Sequence, residues 1–179
     1  MPPVNRKENE FFKICSQCNA SCCINARPPL TPERIKIIET HLKEQKIPLE
    51  KPFAQTSCIF PREDKESYCI FNDRKTKKCL IHAVKPETCV AGPVTFDINT
   101  KTQKIEWHLK KETICPLAGR LYSDKERLGK HLTLAKKEIL RLVRGLDAEA
   151  LKTILKIEEP ETFKIGEDDI EKAVLNKLV

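Results

Sequence analysis

Apolar residues recur at the helical interval in two stretches of the chain and alternate with polar ones in a third. Ile35, Ile38 and Leu42 follow Thr31-Pro32-Glu33, which supplies a hydroxyl cap, a proline in the first turn and an acid at the positive end. Ile47-Pro48 closes that helix. Ser123-Asp124-Lys125-Glu126 reads as a capping box opening a long helix. Its stripe is Leu128, Leu132, Ala135, Ile139, Leu142 and Val143, and Gly145 can end it. Asp147 can cap a shorter helix carrying Leu151, Ile154 and Leu155, and a last amphipathic helix is expected over 169–178. Between these, Val94, Phe96 and Ile98 alternate with polar residues, as do Ile105, Trp107 and Leu109. Asn99-Thr100-Lys101-Thr102-Gln103 separates the two runs, so a β-hairpin is expected there.

Residues 51–78 follow neither period. Together the patterns predict an α+β fold: an irregular cysteine-rich core with a short β-hairpin, flanked by helices and followed by a helical C-terminal tail. The division is expected near Arg120, with a cysteine-cluster metal-binding domain over 11–120 and a helical extension over 121–179.

Composition narrows the function. The 179 residues can bury a real core, so metal need not be the only source of stability. The formal charge of +7 is spread over many lysines, and aromatic residues make up 6%. Dispersed charge and scarce stacking surfaces argue against nucleic acid as the partner. The apolar stripes of the tail either fold back on the core or face a protein partner or second subunit. Residues 1–10 are polar and contain no apolar core segment, so a secretory leader is not expected. No run of about 18 apolar residues offers a membrane span. The resulting expectation is a cytoplasmic protein.

In such a compartment nine cysteines do not read as a disulfide scaffold, and their odd number would strand one of them. Metal or redox chemistry is the better account. Cys15, Cys18, Cys22 and Cys23 lie within nine residues. Cys15-Ser-Gln-Cys18 has the two-residue gap that lets two thiolates grip one ion. Cys18 and Cys22 share a face if that segment is helical. Cys22 and Cys23 are adjacent, and adjacent side chains point apart. They are therefore expected to serve different centres, or one bridges while the other packs, which implies more than four ligands in total.

Further along stand Cys69-Ile-Phe, Lys78-Cys79-Leu-Ile-His82, Lys85-Pro86-Glu-Thr-Cys89 and Ile114-Cys115-Pro116. In this order, after Cys-x2-Cys-x3-Cys-Cys, they resemble the YkgJ-type cysteine-cluster family, over about Phe11 to Gly119. That family is described as zinc- or iron-chelating and includes relatives of flagellin lysine N-methylase. The resemblance implies Cys15, Cys18, Cys22, Cys23, Cys69, Cys79, Cys89 and Cys115 as metal ligands. The chain departs from the family where Lys85-Pro86 replaces Arg-Pro and where the last glycine-rich turn shrinks to Cys115-Pro116-Leu117-Ala118-Gly119. Cys58 has no family counterpart and is open between core thiol and accessory ligand. His82 is expected to pack or support rather than bind. His41, His108 and His131 are read as surface residues.

Eight thiolates suit two four-thiolate zinc sites, one or two iron–sulfur clusters, or a mixture. Only one two-residue gap is present, which fits poorly with paired zinc ribbons, so a 4Fe–4S cluster is favoured over zinc. Three roles follow: an iron–sulfur protein for electron transfer, redox sensing or cluster-dependent partner function; a zinc-stabilised structural or interaction module; or a metal-dependent accessory to a protein methylase. No catalytic motif stands out: the five glycines form no phosphate loop, and no nucleotide-binding stretch is visible.

Overall fold

The computed structural model of the chain describes residues 14, 17, 18, 21–159 and 161–179. It is α+β, as the patterning requires, with two hydrophobic cores of unequal size.

The smaller core lies under the cysteine-bearing half. Helix α1 (Pro32–Glu44) starts as expected: the Thr31 hydroxyl accepts a hydrogen bond from the Arg34 amide at 3.1 Å, and Pro32 occupies the first turn. Its inner face presents Ile38 and Leu42 to Leu30, Phe71 and Ile81. Around this nucleus run two minimal hairpins. Strand β1 (Phe53–Gln55) pairs antiparallel with β2 (Ile59–Pro61), and β3 (Asn72–Asp73) with β4 (Lys78–Cys79). A 3-10 turn (His82–Val84) leads into the short helix α2 (Glu87–Ala91).

The larger core is a three-stranded antiparallel sheet covered by a long helix. Strands β5 (Val94–Asn99) and β6 (Lys104–Lys110) form the expected hairpin, with Phe96 opposite Trp107. The Asn99 side chain accepts from the amides of Lys101 and Thr102 to shape the turn. Trp107 is fully buried. Helix α3 (Pro116–Tyr122) precedes α4 (Lys125–Gly145), whose residues Ala135, Ile139, Leu142 and Val143 enter the core. Helix α5 (Ala148–Ile154) is capped by Asp147, which accepts from the Ala150 amide at 2.8 Å.

Three details differ from the sequence reading. Asp124, not Ser123, caps α4, accepting from the Arg127 amide at 3.1 Å, while the Ser123 hydroxyl donates back to the Arg120 carbonyl and closes α3. Gly145 ends α4 without a left-handed conformation. Its lack of a side chain serves contact instead, because a Cβ there would lie 2.7 Å from Thr31 Cγ2. Finally, the tail is not helical to its end. Residues Thr162–Asp169 form β7, which pairs antiparallel with β6, and only Lys172–Leu175 (α6) is helical beyond it. Where the helix over 169–178 was expected to begin, Asp169 instead ends the strand and meets Lys104 at 2.6 Å, and Asp168 before it accepts from Trp107 Nε1 at 2.7 Å and meets Lys136 of α4 at 2.6 Å. Among the described residues, no helix is long and apolar enough to cross a membrane.

Candidate metal centre

The backbone brings five separate segments to one place. The Cys18 amide donates to the Ile14 carbonyl at 3.0 Å, and a 3-10 turn (Ser21–Cys23) carries Cys22 and Cys23. Beyond the turn, the chain is stitched to the 62–70 loop: the Cys69 amide donates to the Cys23 carbonyl at 2.8 Å, the Asn25 amide to the Ser67 carbonyl at 2.7 Å, and Ile24 bridges Tyr68. The Cys69 carbonyl then accepts from the Asn72 amide, and Asn72 is the register partner of Cys79. Buried Phe71 and Ile81 anchor this stretch from below, so Cys69 and Cys79 pack against an apolar floor. Helix α2 contributes Cys89. Cys115 is the N-cap of α3, its amide held by the Lys111 carbonyl at 3.0 Å and its own carbonyl accepting from Ala118 at 2.8 Å.

The thiols feel one another. Burial pushes Cys89 up to about 12, opposed by Lys85 and reinforced by Cys79, Cys22 and Cys69. Burial likewise pushes Cys69 up to about 11, with Cys79, Cys22 and Glu63 adding to it against the Phe71 amide. Cys79 and Cys115 are raised first by burial, with Cys22 acting on both and Cys18 also on Cys115. Cys22 is therefore the hub. A hydrogen bond with the Cys23 thiol, helped by Lys85 and Lys110, outweighs burial and lowers Cys22 to about 6. The same bond, then burial, then Cys69 and Cys89 raise its neighbour Cys23. The pair shares its charge, so the first proton leaves readily and the second hardly at all.

Cys22 and Cys23 share the 3-10 turn, and each thiol acts on the ionisation of the other. Cys22 is exposed, whereas Cys18, Cys23, Cys69, Cys79, Cys89 and Cys115 are half-buried, and all are free thiols. Cys15 lies outside the described residues. Cys58, which like Cys115 packs against the larger core, stands apart in that burial, then Asp147, and no other cysteine, raises its thiol. His82 is exposed on its 3-10 turn, and His108 is half-buried on β6. His41, read as a surface residue, is half-buried on α1. His131, also read as a surface residue, is half-buried, and its Nε2 lies 2.9 Å from the Ala91 carbonyl and 3.1 Å from that of Gly92. Its position three residues after Leu128 and four before Ala135 already put it on the flank of the apolar stripe.

In kind, these residues fit a thiophilic metal. The converging donors are sulfur, and positive Lys85 acts on three of them. Among the described residues, however, no three Cys, His, Asp or Glu side chains stand close enough to form a ready ligand set. The thiols are neighbours rather than a closed shell. Metal–sulfur bonds of about 2.3 Å would have to draw them together. The reading from sequence missed Lys85 and Lys110 as electrostatic partners of the thiols; the Lys-Pro departure from the family pattern was the available signal for the first.

A model of the CxxCxxCC family, described as a putative zinc- or iron-chelating domain, matches residues 14–116. No curated protein and no solved structure matches the chain. The matched span opens just before the first cysteine, ends one residue after Cys115, and leaves out most of α3 and all of α4 to α6.

Proposed function

Because the chain belongs to the CxxCxxCC zinc- or iron-chelating family, we propose that it binds an iron–sulfur cluster, a 4Fe–4S centre, through Cys15, Cys18, Cys22, Cys23, Cys69, Cys79, Cys89 and Cys115. In this reading residues 11–120 carry the centre and 121–179 extend it. One observation carries the proposal: Cys22 acts on Cys23 beside it and on four cysteines, Cys69, Cys79, Cys89 and Cys115, each from a further segment. Bringing six thiols together strands negative charge as soon as they ionise, and an inorganic cation relieves it. More thiols act on one another than one zinc ion can use, since structural zinc takes four. Exposed Cys22 would put one edge of such a centre at the surface.

When bound, the cluster would supply reversible one-electron chemistry, suited to electron transfer, to sensing an oxidant or to a cluster-dependent partner. Lys85 would offset part of its negative charge, and Phe71 and Ile81 would exclude water from beneath it. Such thiolates persist in a reducing compartment, which supports a cytoplasmic setting. The second reading is a zinc-stabilised interaction module. It is favoured by the family description, which includes zinc, and by the two minimal hairpins, which a closed structural ion would hold.

Absorbance of the anaerobically purified protein separates the two. A broad band near 400 nm that bleaches on reduction is the expected result. A colourless protein carrying zinc replaces the first reading with the second.

A further inference from the structure

Helix α2, which carries Cys89, is held at its far end by α4 and at its start by α1, whose Arg34 also reaches α4. At its start, Glu87 is fully buried and one of its oxygens is engaged: the Thr31 hydroxyl donates to Oε1 at 3.0 Å, and Arg34 Nε lies 3.3 Å from the same atom. Arg34 then reaches Glu138 on α4 through a 2.5 Å bond from Nη2, and Arg141 braces Glu138 from the next turn at 3.0 Å. At the far end of α2, His131 of α4 faces the carbonyls of Ala91 and Gly92. Both neighbours of Nε2 are acceptors, so Nε2 carries the proton and donates to them. Burial keeps the ring neutral by lowering its pKa, which fits that role.

The spacing is that of a splint. Residues 131 and 138 are seven apart, which places them on one face about two turns apart, roughly 10 Å along α4. The five residues of α2 span roughly 7.5 Å between the two grips. Glu87 at the start of α2 meets the later grip and Ala91 at its end meets the earlier one, so the helices run antiparallel. Buried polar contacts are costly to break, so they favour one placement of α2 rather than merely adding adhesion, although Glu87 Oε2 and Arg34 Nε have no hydrogen-bond partner. α4 in turn is tied to β7 and its neighbour by Lys136–Asp168 and Arg144–Glu171.

We propose that His131 and Glu138 are positioning residues for Cys89, and that metal binding at the cysteine centre and the docking of α4 therefore stabilise each other. This rests on the metal-binding reading above and adds a direction of communication: the state of the centre reaches the C-terminal unit through α2. Linkage makes the effect reciprocal, because whatever loosens the contact of α4 with α2 must weaken metal holding, and losing metal must loosen that contact.

The test uses the full chain with the metal it carries when purified. The readouts are release of that metal to an excess of chelator, and amide hydrogen exchange of residues 132–143 with and without metal. His131→Leu, which removes the donor, should release metal about tenfold faster or more, the scale for lost outer contacts at metal sites. His131→Gln, which can still donate, should stay within about threefold of wild type. Arg144→Ala, which cuts a contact of α4 that does not touch α2, should lower Tm and leave release unchanged. Exchange in 132–143 should speed up when metal is stripped from the wild type. Equal release by His131→Leu and wild type, equally faster release by Arg144→Ala, or exchange indifferent to metal would each overturn the inference. A wild type that binds no metal at all overturns the functional reading itself, a distinct result.

Discussion

The two halves of the molecule are held by different means. The sheet half places a seven-residue central strand under a 21-residue helix and buries Trp107, Leu109, Ile139 and Leu142 completely or nearly so. Its strands pair over six or seven positions, and its helices are capped by Asp124 and Asp147. The cysteine half has a core cluster of five buried apolar residues, hairpins of two or three pairs, and half-buried thiols that raise one another's pKa. Isolated hairpins of that size are marginal in water. The first half can fold on apolar burial. The second would draw its last increment of stability from the metal proposed above.

The largest effect should come from attacking the self-sufficient half. Trp107→Ala removes a fully buried ring and leaves Asp168 without its indole partner, and it should cost about 3–5 kcal/mol. Thermal denaturation of the metal-stripped protein, where no ligand can mask the loss, measures it. Next, Cys22→Ser removes the hub thiol. It should cut bound metal by about half or more and lower Tm by at least about 5 °C together. Metal content unchanged in that variant would mean that the ligands are misassigned.

The pH response sharpens the contrast. Cys89 and Cys69 lie well above the ordinary thiol value of 9.0 in the folded metal-free protein. Between about pH 9 and pH 12 the unfolded chain has therefore lost these protons while the folded one still holds them. The unfolded state then binds fewer protons, and stability falls as pH rises through that window. Metal-free protein should lose structure in the cysteine half across it, followed by circular dichroism, while metal-loaded protein, already without those protons, should change less. The smallest effect belongs to Cys58→Ala: about 1 kcal/mol of stability from its place at the larger core, with no loss of metal.

How much of this was legible in the sequence follows the same divide. Thr31, Asp147 and the alternation around Phe96 and Trp107 announce their elements locally, because a cap or a period needs only near neighbours. Strand β7 does not. Phe163 and Ile165 are too short a run to declare a strand, and Asp169 looks like a helix-opening acid until Lys104 stands beside it. The cysteines could be grouped as candidate ligands from spacing and family likeness, but the mutual influence of Cys22 and Cys23 depends on a 3-10 turn that no period marks. The Arg34–Glu87–Glu138 chain was invisible for the same reason as β7. Each member looks like a surface charge in its own helix, and only packing three helices together buries all three.

The central claim is that the converging thiols are the ligands of an inorganic centre. Iron, zinc and acid-labile sulfide counted per chain, on protein purified without air, address it in one sample. The account predicts iron and sulfide in near-equal amounts, about four of each, and their joint loss in Cys22→Ser but not in Cys58→Ala. Protein that contains neither iron nor zinc while keeping its fold would contradict it.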